Sequence, residues 1–286
     1  MLSTSYSLTA EINRQNALEQ QIAQLQSNIS SGIQLNVASD NPLAAAQVAT
    51  IGRQQADEAV YSSNVKDAQA TTSLVDTNLT GVQSSLVRAK ELMLEASNGT
   101  MTDSGRTAAI TELQSIATSL DTAANQTDAT GNPLFVRGGA ANQVPIGKGV
   151  TVAAADSYDE VFGSVTLGDG STTSIAAVLA GSIAALQTSD PTARATAVNS
   201  SLSALDASAT HISDAQSDIG VRETQLNNTA DSLATSAINL SDARSGLEGT
   251  DLTAAAATLS SKMTTLNAAQ SVLATLSKIS LFDKIS

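Results

Sequence analysis

The stretch VNSSLSALDASATHISDAQSDIGVRETQLNNTADSLATSAINLSDARSGL, residues 198–247, decides the fold. Within it Val198, Leu205, Ile212, Ile219, Leu226, Leu233, Leu240 and Leu247 recur at strict seven-residue intervals. Two helical turns take about seven residues, so these side chains form one stripe along one side of a helix. No proline interrupts them, and Gly220 and Gly246 are the only glycines inside. The spacing predicts a helix of roughly 50 residues, on the order of 75 Å long. Most intervening positions of the repeat are small or polar (Ala209, Gln216, Ala230, Ala237), so the stripe is thin. A thin stripe cannot bury itself. It needs partner helices, from the same chain or from neighbours.

Composition narrows the possibilities. A chain of 286 residues has room for one or two domains. Aromatics make up 2%, tryptophan is absent, and the 42% apolar fraction leans on alanine, a composition suited to elongated helices with shallow contacts. A net charge of −13 repels phosphates and anionic lipid, which argues against nucleic-acid and membrane partners. Cysteine is absent, which excludes disulfides and thiolate metal sites. The amino end, MLSTSYSLTAEINRQ, has neither a basic segment nor an apolar core, so no cleaved apolar signal is expected. No apolar run reaches the roughly 18 residues of a membrane span.

Outward from the stripe, the elements are ordered symmetrically. Residues 1 to about 33 read as an amphipathic helix with Leu18, Ile22, Leu25 and Ile29 on one side, ended by Gly32. A joint follows, in which Asp40 and Asn41 precede Pro42 and a new helix begins. That helix runs to Ser97, breaks at Asn98-Gly99, and gives way to a shorter one capped by Thr102-Asp103-Ser104 and ending near Ala124. From Asn125 onward glycine and proline concentrate. Leu134–Val136, Val150–Val152 and Val161–Leu167 read as strands, with Asp169-Gly170 as a hairpin turn. A short helix covers Ile175–Leu186, and Asp190-Pro191 caps the long helix. The seven-residue phase breaks across SGLEGTD, where Gly246 and Gly249 mark a second joint. It resumes at Leu252, Leu259, Leu266 and Leu273, supported by Leu276 and Ile279.

This order predicts a mainly α fold: an elongated antiparallel helical bundle or coiled coil, made by the two halves of the chain, with a small β-containing insert at its far end. Residues 1–40 and 250–286 are expected as terminal helices, 41–130 and 190–249 as the long-helix bundle, and 131–189 as the insert. The stripes beyond the joints, Leu18, Ile22, Leu25 and Ile29 with Leu252, Leu259, Leu266, Leu273, Leu276 and Ile279, are the expected assembly contacts. Asp40, Asn41, Pro42, Gly246 and Gly249 form the expected joints.

The same residues carry a resemblance. Ser31-Gly32 followed by Val37-Ala-Ser-Asp-Asn-Pro-Leu resembles the signature after the first helix of the bacterial flagellin-like family. Flagellins usually continue with alanine there, whereas members at the hook–filament junction have a proline, as at Pro42. Ala96–Thr100, Ala124–Phe135 and the end from Leu276 to Ile285 are also similar to the hook-associated members. Beyond that run, the insert up to residue 189 carries no such likeness. The resemblance implies a structural subunit of the bacterial flagellum, exported unfolded through the type III channel and extracellular in place. It implies terminal helices that are disordered in the free subunit and form a coiled-coil inner tube on assembly. The implied partners are other copies in a helical or ring oligomer, hook protein or a neighbouring hook-associated protein, flagellin, and an export chaperone.

Other chemistry has little support. His211 is the only histidine and sits beside the stripe residue Ile212, so it reads as a helix-flank side chain. Asp57-Glu58 and Asp159-Glu160 match no calcium-loop spacing and read as surface charge. Gly168-Asp169-Gly170 reads as a turn. No set of nucleophile, base and orienting group can be assembled, so neither an enzyme nor a cofactor is expected. Two alternatives stay open: a flagellin proper, and a secreted binding module whose insert grips a polysaccharide. For the latter, Phe135, Tyr158 and Phe162 are few.

Overall fold

The computed structural model describes the backbone of residues 2–98 and 101–282 and the side chains of 9–98 and 101–275. Gly99 of the expected break and the side chains of Leu276 and Ile279 lie outside these. The helices are α1 (Leu2–Ser31), α2 (Pro42–Ser97), α3 (Asp103–Ala124), α4 (Ile175–Gln187), α5 (Pro191–Glu248) and α6 (Leu252–Phe282). Between α3 and α4 lie β1 (Gln143–Gly147), β2 (Val150–Ala153), a π-helical turn at Asp159–Gly163, β3 (Val165–Thr166) and β4 (Thr172–Thr173). The chain is a mainly α bundle with a small β-containing insert. It divides into two compact units, Met1–Ala56 with Ser236–Ser286, and Asp57–Thr235. Residues 131–189 fall within the second unit.

Helix starts follow local hydrogen bonding. Asp190 Oδ1 accepts from Ala193 N at 2.7 Å and Thr102 Oγ1 from Gly105 N at 3.1 Å, each satisfying an amide that the first turn leaves unpaired. Helix α5 therefore begins at Pro191 and runs 58 residues, longer than the stripe alone required.

In the second unit α2 and α5 pack antiparallel. Gln69 Nε2 donates to Asn227 Oδ1 at 2.7 Å, Gln216 Nε2 to Thr80 Oγ1 at 3.1 Å, and Lys90 pairs with Asp206. Each step forward along α2, eleven residues and then ten, is matched by an equal step back along α5, so the register is constant. Val198, Leu205, Ile212 and Ile219 are all buried in that seam, against Val75, Leu79, Val82, Leu86 and Met93 among others, and Leu226 is buried against Val65 and Ala68. Helices α3 and α4 close the core with Leu113, Ile116, Leu120, Leu179 and Leu186. Arg88 ties α2 to α3 through both Glu112 oxygens, at 2.6 and 3.2 Å.

The insert departs from expectation in three ways. First, Leu134-Phe135-Val136 is not a strand. Leu134 and Phe135 are core anchors in a loop, and the Phe135 ring meets Phe162 edge-on at 5.0 Å. Second, Val161 begins not a strand but part of the π-helical turn. Glu160 reaches back to Ser157 N at 2.9 Å and Ser157 Oγ at 2.8 Å, a capping box that starts helical winding. Only Val165–Thr166 is extended, and the Asp169-Gly170 turn joins it to β4, with Gly170 at φ 81°. Third, the β1–β2 hairpin is not at the far end of the long helices. Its Ile146 and Val152 pack on Val65, Ala68 and Leu226, well back from Ser97 and Pro191. A two-stranded hairpin cannot bury its own apolar face, and the small Ala68 leaves room for it beside the seam. Asn64 Nδ2 donating to the Pro145 carbonyl at 2.7 Å and an Arg222–Asp156 ion pair fix it there.

Candidate assembly site

In the first unit α1 packs on α6. The more covered side chains of α1 fall chiefly at Glu11, Gln15, Leu18, Ile22, Leu25 and Ile29, alternating four and three apart. The covered side chains of α6, among those described, are Ala255, Leu259, Lys262, Leu266, Ala269 and Leu273, with the same alternation. That is the spacing of a two-stranded coiled-coil seam. Lys262 Nζ donates across it to Gln21 Oε1 at 2.7 Å.

The joints are bonded to each other. Gly32 sits at φ 72°, a left-handed conformation that glycine adopts without a Cβ penalty, and its N–H closes α1 on the Asn28 carbonyl at 2.8 Å. Ile33 and Gly249 then form an isolated antiparallel bridge. Gln34 N donates to Glu248 O at 2.8 Å, and Thr250 N to Gly32 O at 2.9 Å. Asp40 Oδ2 accepts from Asn36 N at 3.1 Å and Val37 N at 3.0 Å, which folds the first joint into a tight turn. Asn41 Oδ1 caps α2 by accepting from Ala44 N at 3.1 Å, with Pro42 as the first helical residue. Asp251 Oδ1 caps α6 by accepting from Thr253 N at 2.9 Å and Ala254 N at 3.0 Å.

The expected site residues sort as follows. Ile22 is buried, and Leu18, Leu25, Ile29, Leu259, Leu266 and Leu273 are half-buried in the α1–α6 seam. They cover one another within the chain rather than standing free for neighbours, because two thin stripes in antiparallel register are complementary. Leu252 lies outside the seam and is 53% exposed. Asp40, Asn41, Pro42 and Gly249 are joint residues, but Gly246 is an ordinary exposed position inside α5, with open space where a Cβ would go. The sequence reading missed Ala255, Lys262, Ala269 and Gln15, which are too small or too polar to register in a search for apolar stripes. Stepping three and four residues from Leu259 and Leu266 on α6, and three back from Leu18 on α1, would have found them. The exposed large apolar side chains of this unit, among those described, are Ile12, Ile33, Val37, Leu43, Ile238, Leu252, Met263 and Val272.

The other candidates are structural. His211 Nε2 donates to the Glu160 carbonyl at 2.8 Å, tying α5 to the π-helical turn. Among the described residues no group of three or more His, Asp or Glu is placed to hold a metal ion, and no helix is long and apolar enough to cross a membrane. A groove of about 800 Å³ lies between α2 and the end of α3, lined by Leu74, Asn78, Gly81 and Leu120 among others.

Comparison with known proteins places this architecture. A flagellar hook-associated protein 3 from Escherichia coli K12 is 30% identical over 185 residues, and the match spans 56% of this chain and 58% of that one. A solved flagellar hook-associated protein from Vibrio parahaemolyticus superposes with a TM-score of 0.64 at 25% identity, covering 73% of this chain and all of the other. The flagellar junction protein of Legionella pneumophila shares the fold, with a TM-score of 0.56 at 17% identity over 71% of this chain. Residues 3–138 match the bacterial flagellin N-terminal helical region and residues 202–283 the bacterial flagellin C-terminal helical region. With α1 through α3 in the first match and most of α5 and α6 in the second, the chain belongs to the bacterial flagellin family.

Proposed function

We propose that this protein is a structural subunit of the bacterial flagellum at the hook–filament junction, assembling through its paired terminal helices. The observation that carries assembly is the match of both terminal regions to the flagellin family, borne by a two-helix pair whose flanks leave Leu252, Met263 and Val272 in solvent. A pair this thin is marginal alone and gains stability by docking on copies of itself. The likeness to hook-associated protein 3, together with Pro42 in the first joint, favours the junction over the filament proper. In this reading residues 1–40 and 250–286 build the inner layer of a ring or helical oligomer. The subunit leaves the cell through the flagellar export route, escorted by a chaperone, and meets hook protein or another hook-associated protein on one side and flagellin on the other. Electron microscopy of the purified protein with and without hook and filament seeds tests it. Addition at seed ends without elongation alone is expected. Long autonomous filaments would identify a filament subunit instead.

A further inference from the structure

Proline at position 145 settles which edge of the β1–β2 hairpin is open. Pro145 pairs with Thr151, and Val144 with Val152. Opposed residues of an antiparallel pair alternate between those that exchange two backbone hydrogen bonds and those that exchange none. Proline has no N–H, so Pro145 and Thr151 exchange none. The Pro145 carbonyl accordingly points away from β2, where it accepts from Asn64 Nδ2 on α2. By the same alternation the N–H and C=O of Thr151, and those of Ala153 opposite Gln143, point away from β1. Among the described residues these four groups have no hydrogen bond to another element. Folded proteins guard such edges with proline, with charge or with a covering element. Pro145 and α2 guard β1, whereas β2 reads Val-Thr-Val-Ala, with neither charge nor proline, and Val150 and Thr151 are exposed. Beside this edge, Ile146 and Val150 form one wall of a groove of about 560 Å³, and α5 forms the other with Thr224, Gln225, Asn228 and Leu233.

We propose that β2 is a docking edge for an extended, uncharged segment of a partner protein, which adds a third strand beside Thr151 and Ala153 and lays side chains into the groove. Main-chain hydrogen bonds to the two residues hold such a segment, and the groove selects its side chains. At about 3.3 Å per residue, the edge from Val150 to Ala153 matches roughly four residues of partner. Charge selects the occupant. The Asp57–Thr235 unit has 20 acidic and 8 basic side chains, a net −12, so a second copy of it and an acidic segment are both repelled. The groove holds no carboxylate to favour a basic segment. An uncharged strand meets neither obstacle.

The test titrates the full chain with the blocked peptide acetyl-Thr-Val-Thr-Val-Thr-amide, followed by calorimetry and by amide exchange at Thr151 and Ala153. The peptide should bind and slow exchange of both amides. Thr151→Pro should weaken binding at least about tenfold and keep the wild-type melting midpoint, because the N–H it removes makes no bond in the free protein. The same peptide methylated on every backbone nitrogen keeps its side chains but cannot donate, and should not bind. That arm decides the matter if Thr151→Pro fails to fold. Undiminished binding by Thr151→Pro or by the methylated peptide overturns the inference, as does absence of binding to the wild type. A wild-type dimer that Thr151→Pro dissolves overturns the choice of occupant in favour of a second copy. No hook or filament seed enters the measurement, so its failure leaves the assembly reading standing.

Discussion

The α2–α5 pair and the α1–α6 pair are written in nearly the same sequence code and differ in what covers them. Both carry apolar residues at seven-residue spacing and both are antiparallel; three side-chain ties hold a constant register in the first, and the second is tied at Gln21–Lys262. In the first pair the stripe from Val198 to Leu226 is fully buried, because α3, α4 and the insert add a further layer. In the second the leucines stay half-exposed, with alanine, lysine and glutamine between them. Period sets which side chains face a partner. The number of layers sets how much burial each gains.

Deleting one leucine from each pair should expose that difference. Leu226→Ala is expected to destabilise the Asp57–Thr235 unit by about 2–5 kcal/mol in denaturant melts, toward the lower half because alanine-rich surroundings partly close over the cavity. Leu266→Ala, from a half-solvated seam, should cost about 1 kcal/mol and show as faster amide exchange in α6 with the second unit unchanged. Equal costs would mean that the terminal seam is as closed as the central one.

The two glycines near the second joint sharpen the comparison at intermediate size. A Cβ on Gly249 would lie 2.5 Å from the Ser245 carbonyl oxygen, so Gly249→Ala should cost about 1–3 kcal/mol through backbone displacement. Gly246→Ala meets nothing and should stabilise α5 by about 0.5–1 kcal/mol. Thermal melts of the two variants should move in opposite directions.

The smallest effect concerns pH, in the insert that covers the central pair. The Ser157 N–H and hydroxyl hold the Glu160 carboxyl below the ordinary glutamate range, against a weaker opposing push from burial. A depressed folded pKa contributes stability above the unfolded value of about 4.3, and that stability disappears as pH falls through the lower folded value. Glu160→Gln should therefore melt about 1–2 °C below wild type at pH 7, and the gap should close as pH falls through and below the lowered folded value. A gap that persists in acid would assign the loss to shape rather than charge.

Much of this molecule is local physics and was legible in the sequence. Asp190-Pro191, Thr102 and Asn41-Pro42 set helix starts within a few residues, because an amide left unpaired in a first turn is answered by the nearest side-chain oxygen. Gly32 ended α1 because a left-handed residue there favours glycine. The heptad chose the buried face of α5. Tertiary structure alone decided the rest. Leu134 and Phe135 have strand-forming side chains but pack where Phe162 and the helices leave space, and the hairpin settled beside Leu226 because its own two strands could not bury Ile146 and Val152. It likewise decided that the terminal stripes meet each other first. A seven-residue period says that a helix needs a partner, and the symmetric order of elements pairs the two halves of the chain. Only the three-dimensional register, fixed where Ile33 meets Gly249, says which side chains meet.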